Sequence, residues 1–175
     1  VSEVKRGRHS KVYLTEKYAI KIFYPEFFYN FKKEVYFLNL LQPFGFVPRI
    51  YSADFTDLKI VMERIRGSSI SESLDLGTIS RSLDICFILD KLGVQKEEMN
   101  HPERHIVVSD KVYFLDFDRS HLSRKPSNVT QFCSYLKSLG FRIDKEVLRD
   151  YKKMYTTESF ENLKRQILLT FSNKK

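Results

Sequence analysis

Lys21 stands in Tyr18-Ala19-Ile20-Lys21-Ile22-Phe23, a run whose alternation predicts a strand with Lys21 pointing opposite to Ile20 and Ile22. An ammonium in that position can meet phosphate oxygens, and if buried it needs a carboxylate to hold it. Glu34, on the next predicted helix, is the candidate, with two unrelated surface charges as the plain alternative. Lys111-Val112-Tyr113-Phe114-Leu115-Asp116-Phe117-Asp118 ends an apolar strand in two acids. Carboxylates at a strand terminus can hold Mg²⁺ through oxygen, whereas a solvated turn more often carries Asn, Gly or Ser. Lys5-Arg6-Gly7-Arg8-His9-Ser10-Lys11 places one Gly among cations and polar residues between two predicted strands. A turn that crosses over phosphates needs N–H groups that approach closely, which Gly allows; a surface hairpin turn has the same composition. Ile60-Val61-Met62-Glu63-Arg64-Ile65 passes from apolar strand to polar connector. A strand end that loses its pairing offers backbone donors and acceptors beside an apolar slot, which is what an adenine base requires.

These side chains need elements to hold them. Residues 11–14 and 18–23, split by Thr15-Glu16-Lys17, predict an antiparallel pair, and residues 1–23 as a whole read as β structure. Phe31, Val35, Leu38 and Leu41 recur at helical spacing and predict a helix over 28–41, stopped by Pro43 and Gly45. A second hairpin is predicted from 50–55 and 58–62 around Thr56-Asp57. Ile79, Leu83, Cys86, Phe87 and Leu89 predict a buried helix over 79–92, ended by Gly93. After a polar stretch, 106–108 and 112–115 read as strands, and helices follow over 128–139, 144–155 and 159–171. The order is α+β: a small β-rich lobe and then a helical one.

With 175 residues, 42% hydrophobic and 30% charged, the chain has material for one core and too little length for two ordinary domains. Charges interrupt every apolar stretch well short of a bilayer span, so no transmembrane helix and no membrane partner is expected. The opening VSEVKRGRHS lacks the apolar core of a signal peptide and also lacks a starting Met. Cys86 and Cys133 have no CxxC spacing, so reduced, buried thiols of a cytoplasmic protein are expected rather than a zinc site. A net charge of +8 suits an anionic partner such as a nucleotide, RNA or a ribonucleoprotein, and equally suits solubility through surface ion pairs. The chain ends in a short basic tail, Lys174-Lys175.

Taken in order, the turn at Gly7 to Ser10, the AIK strand, the helix glutamate, the strand exit and the DFG-like Asp116-Phe117-Asp118 resemble the protein kinase fold. Short length and abbreviated lobes make the chain similar to the atypical RIO-like kinases and the small kinase of the KEOPS tRNA-modification complex. Glu98-Met99, Pro102-x-Arg104-His105-Ile106 and Asn128-Val129-Thr130-Gln131 resemble most a group of archaeal serine/threonine kinases related to them. The resemblance runs over most of residues 3–136. It implies one reduced bilobal domain, 1–64 and 65–175, with an ATP and Mg²⁺ site. Lys21 would contact the α- and β-phosphates, Glu34 would hold Lys21, and Asp116 would coordinate Mg²⁺. Gly7, Arg8, His9 and Ser10 would cover the phosphates, Met62 would flank the adenine, and Glu63 and Ile65 would offer it main-chain hydrogen bonds.

The chain departs from that pattern where the catalytic base is expected. No His-x-Asp precedes the DFG-like segment, Lys96 stands where the histidine would be, and the resemblance implies Glu98 as the base. An alignment anchored on His105 to Val108 puts Asn100 there instead, which cannot accept a proton and predicts a weak enzyme or a nucleotide-binding pseudokinase. The second metal ligand is open between Glu103 and His105. Asp118 replaces the DFG glycine, as a metal-side carboxylate or as part of an altered turn. The implied activity is an atypical serine/threonine protein kinase acting on a protein or on itself. The other reading is a degenerate kinase or ATPase module whose basic surface docks on RNA, a ribosomal particle or a protein complex.

Overall fold

The computed structural model describes residues 1–173, and the basic tail Lys174-Lys175 lies outside the described residues. Along the chain run β1 (Glu3–Arg6), β2 (Ser10–Leu14), β3 (Tyr18–Phe23), α1 (Phe28–Leu41), β4 (Ile50–Asp54), β5 (Lys59–Glu63), β6 (Ser68–Ser69), α2 (Leu76–Leu92), β7 (Val94–Gln95), β8 (Ile106–Val108), β9 (Val112–Phe114), β10 (His121–Leu122), α3 (Asn128–Ser138), α4 (Lys145–Met154) and α5 (Thr157–Ser172). They divide into two units, residues 1–67 with 109–120, and residues 68–108 with those from 121 onward.

In the first unit, five strands form an antiparallel sheet in the order β1-β2-β3-β5-β4. β3 lies in its middle, pairing Lys21 with Val12 of β2 and with Ile60 of β5. The alternation works as the sequence predicts: Ala19, Lys21 and Phe23 are buried, and Ile20 and Ile22 on the other face are half-buried. α1 buries Phe31, Glu34, Phe37, Leu38 and Leu41, a stripe at helical spacing, so one acid travels into the core with the apolar side chains. Phe31 is the hinge of that packing, its ring 5.8 Å from Phe23 and 5.0 Å from Phe55. The N–H of Phe114 on β9 donates to the carbonyl of Phe46 at 2.7 Å, which brings the acidic turn at 116–118 into this unit.

The second unit is mainly helical. α2 starts three residues earlier than its apolar pattern predicts because Asp75 caps it, accepting from the Thr78 N–H at 2.7 Å. Gly93, in the left-handed region at φ 72, ends it as expected. Asp144 and Thr156 cap α4 and α5 in the same way as Asp75, so Asp144 precedes its helix instead of beginning it. Phe87 and Phe160 meet edge to face at 4.2 Å between α2 and α5. Strands of two residues, β6, β7 and β10, are too short to leave a period in the sequence. Cys86 and Cys133 are buried free thiols, and burial pushes the Cys133 thiol up to about 12. Among the described residues no helix is long and apolar enough to cross a membrane.

Because Phe31 is fully buried and Tyr29 is 74% exposed, the two aromatics of one helix face opposite costs. Phe31→Ala is expected to lower stability by about 3–5 kcal/mol, and Tyr29→Ala to change it by less than about 0.5 kcal/mol, both read from urea denaturation midpoints.

Candidate active site

A lysine in the central strand of a sheet has nowhere to send its charge except a partner inside the fold. Lys21 retains 6% side-chain exposure, and its Nζ donates to Glu34 Oε1 at 3.1 Å and to Asp116 Oδ1 at 3.2 Å. The Phe23 ring lies 5.0 Å from the same ammonium. Glu34 is as deeply placed, at 2%, and its second oxygen accepts the backbone N–H of Phe117. One carboxylate therefore ties β3, α1 and the turn after β9 together. Burial disfavours the Lys21 ammonium, but the fields of Glu34, Asp116 and Asp118 outweigh it and hold the Lys21 pKa above its ordinary value. Burial pushes Glu34 up, against the pull of Lys21, and hydrogen-bond donors on both of its oxygens keep it an acceptor.

Asp116 differs from its neighbours in two respects. Its backbone is left-handed, φ 63, a conformation Asp tolerates better than most residues. Its carboxylate is 42% exposed although one oxygen is held by Lys21. Two residues on, Asp118 is mostly buried, its Oδ2 2.7 Å from His9 Nδ1 and its backbone carbonyl accepting from Asn30 Nδ2 at 3.0 Å. Lys21 thus sits in the field of three carboxylates, an excess of negative charge that a divalent cation would balance.

The turn over these groups differs from its expectation. The Gly7 N–H donates to the Ser10 carbonyl at 2.9 Å, so the amide that glycine was expected to offer is already engaged within the turn. Gly7 also has no left-handed φ, and the turn's specific side-chain contact comes from His9. Arg8 is exposed, and Ser10 is buried on β2 opposite Phe23. Along the strand exit Met62 is buried, the Glu63 N–H donates to the Arg49 carbonyl at 2.8 Å, and the Arg64 N–H to the Lys17 carbonyl at 3.2 Å. Glu63 therefore has only its carbonyl for an added ligand, while no hydrogen bond occupies the Ile65 N–H among the described residues.

The remaining candidates lie in the second unit. Glu97 and Glu98 are consecutive left-handed residues, φ 73 and 60, and Glu98 Oε2 is 3.0 Å from His105 Nε2. His105 is thus a partner of the candidate base. Glu103 is exposed, and its carbonyl accepts from Ser69 Oγ at 2.7 Å. Among the described residues no group of three or more His, Cys, Asp or Glu side chains is placed to hold a metal by itself. The loop is positioned from α3: Asn128 Oδ1 accepts the Lys96 N–H at 2.9 Å and Gln131 Oε1 the Met99 N–H at 3.0 Å. Asn128 in turn donates its backbone and side-chain N–H groups to Asp90 Oδ1, and Tyr151 donates its hydroxyl to Asp90 Oδ2 at 2.5 Å. Sequence reasoning missed Asp90 and Asn30, since an acid near a helix end and an Asn near a helix start usually face solvent.

No family model matches the sequence, and no curated protein matches it. Solved structures do. The bifunctional kinase-methyltransferase WbdD superposes with TM-score 0.63 at 20% identity, covering 95% of this chain and 42% of that one. The Rio2 kinase of Chaetomium thermophilum, in its ADP/Mg²⁺-phosphoaspartate complex, superposes with TM-score 0.61 at 15% identity, covering 100% of this chain and 71% of that one. A second Rio2 structure from the same organism gives 0.59 at 14%, with 95% and 62% covered. The fold is protein kinase-like, and the chain spans less than half the length of the WbdD chains it matches.

Two measurements test the electrostatics. Glu34→Ala leaves the buried ammonium with only the partly exposed Asp116 and is expected to cost about 3 kcal/mol, whereas the paired change Lys21→Met with Glu34→Leu costs far less, as urea melts would show. Burial pushes Asp90 up to about 6, ahead of the opposing bonds from Tyr151 and Asn128. The folded chain then keeps that proton to higher pH than the unfolded chain, so this group favours folding below the ordinary Asp value and the benefit is lost as pH rises through about 6. Asp90→Asn should gain on the wild type by up to about 3 kcal/mol between pH 4 and 7; a pH-independent difference would refute the assignment.

Proposed function

We propose that the chain is an ATP- and Mg²⁺-dependent phosphotransferase, an atypical serine/threonine protein kinase. The observation that carries this reading is the single ammonium of Lys21 shared between a buried glutamate, 3.1 Å away, and a partly exposed aspartate, 3.2 Å away. Glu34 keeps Lys21 oriented whether or not a ligand is present. A triphosphate oxygen can take the place of Asp116 on the ammonium, and Asp116 is then available to a cation. The surplus of carboxylates around one lysine fits Mg²⁺, with Asp116 as the ligand from this unit; when bound, the ion neutralises charge on the phosphate oxygens. In this reading nucleotide oxygens and a second side chain, Glu103 or His105, would complete its ligands, and the bond to Glu98 would make Glu103 the better choice.

Met62 and the carbonyl of Glu63, with the main chain of Ile65, serve the adenine, and Arg8 and Ser10 serve the phosphates, while the His9 imidazole is engaged with Asp118. The acceptor is a hydroxyl on a protein, either a partner or the chain itself. Glu98 takes the hydroxyl proton as the oxygen bonds to the γ-phosphorus and the bond to the ADP oxygen breaks. One observation favours a second reading, a nucleotide-binding module without transfer that docks on RNA or a ribonucleoprotein: one oxygen of the Glu98 carboxylate, Oε2, lies 3.0 Å from His105 Nε2.

The test is transfer from labelled ATP with Mg²⁺, with nucleotide affinity measured alongside. Lys21→Ala and Asp116→Ala are each expected to lower transfer by at least 100-fold. Glu98→Gln is expected to lower it by about 100-fold or more with nucleotide affinity within about threefold of wild type. Nucleotide binding without any transfer, together with salt-sensitive RNA binding that survives Asp116→Ala, would decide for the second reading.

A further inference from the structure

Asp118 is the residue the kinase-like pattern does not explain, and its bond with His9 gives it a task. The two side chains are 109 positions apart, 18% and 11% exposed, and joined at 2.7 Å. His9 is fixed on two further sides: its carbonyl accepts the Tyr24 N–H at 3.0 Å, and its ring lies 4.5 Å from that of Phe27. On the other side of the bond, the Asp118 carbonyl is held by Asn30. Within the β1–β2 turn itself the link is the Gly7 N–H to Ser10 carbonyl bond. A turn closed over a ligand must give way for that ligand to enter and leave, and the energy of the bond that closes it sets the rate.

We propose that His9 and Asp118 form a tether that fixes the β1–β2 turn to the Asp116-Phe117-Asp118 turn and thereby controls the entry and release of the nucleotide. Both are positioning residues. This turn has one glycine whose amide is engaged within the turn, and its position is set by a side chain. The replacement of the DFG glycine by Asp118 is then the other half of the same device. The inference rests on the nucleotide reading for its consequence, but not for the tether itself.

Two measurements on the full chain separate these parts. In the nucleotide-free protein, amide hydrogen exchange over residues 6–10 should quicken by about tenfold or more in both His9→Ala and Asp118→Ala, and the double variant should exchange no faster than either. Asp118→Asn keeps an acceptor for His9 and should lie closer to wild type than to Asp118→Ala. Unchanged exchange in His9→Ala, or additive effects in the double variant, would overturn the tether. With a fluorescent ATP analogue and Mg²⁺, release should quicken about tenfold in either alanine variant, again without addition in the double. Unchanged release alongside quickened exchange would overturn the control of the nucleotide. A wild type that binds no nucleotide while exchange responds as expected would overturn the nucleotide reading and leave the tether standing.

Discussion

An ammonium enclosed at the centre of a sheet is the constraint from which the first unit is built. Lys21 keeps 6% exposure and Glu34 2%, so each needs partners inside the fold. Removing both charges and packing apolar side chains in their place is commonly neutral or stabilising, which makes the pair a poor device for stability alone. What it does accomplish is alignment. Through the two oxygens of Glu34, the strand carrying Lys21, the helix carrying Glu34 and the turn carrying Phe117 are held in one register. Apolar packing tolerates small slides between such elements, whereas two directed hydrogen bonds on one carboxylate do not.

The two units solve a similar problem with different chemistry. Around 116–118 the backbone must turn through a left-handed aspartate, and the turn is supported by side chains from α1 and from the β1–β2 turn. Around 97–98 it passes through two left-handed glutamates, and support comes from amide side chains of α3, which receive the N–H groups of Lys96 and Met99. Left-handed conformations at non-glycine residues cost on the order of 1 kcal/mol or more each and persist only where the surroundings over-determine them. Both loops have that kind of framework, and in the second it is anchored on Asp90, which caps α3 through Asn128 and Val129.

Much of the first unit was legible because local rules decide it. The alternation around Lys21 sets its face of the strand, and the spacing of Phe31, Val35, Leu38 and Leu41 gives the helix, whereas the burial of Glu34 beside that stripe is seen only in the fold. Helix starts were misjudged by up to three residues because apolar period marks where burial begins, while Asp75, Asp144 and Thr156 mark where hydrogen bonding begins. The meeting of His9 with Asp118 had no local sign, since each looks like a polar residue in a turn and only the fold brings them together. Gly7 misled in the opposite sense: its residue type suggests an available amide, but the turn it occupies closes on that amide.

Identity of 14–20% to solved kinase structures, spread over nearly the whole chain, matches this division of labour. Burial pattern and one ion pair fix the fold and tolerate wide substitution, and the loops that carry chemistry are where a chain can differ. Under the phosphotransfer reading, a glutamate in the place of an aspartate base is such a difference, and it has a physical cost. One more rotatable bond lets the carboxylate wander, and wandering by an ångström is enough to slow a proton transfer. The 3.0 Å bond to His105 and the left-handed backbone at Glu97 and Glu98 both restrict that freedom. Under the phosphotransfer reading, His105 acts on the reaction by holding Glu98 in place, a role that asks the imidazole to face a carboxylate and leaves the metal to oxygen ligands.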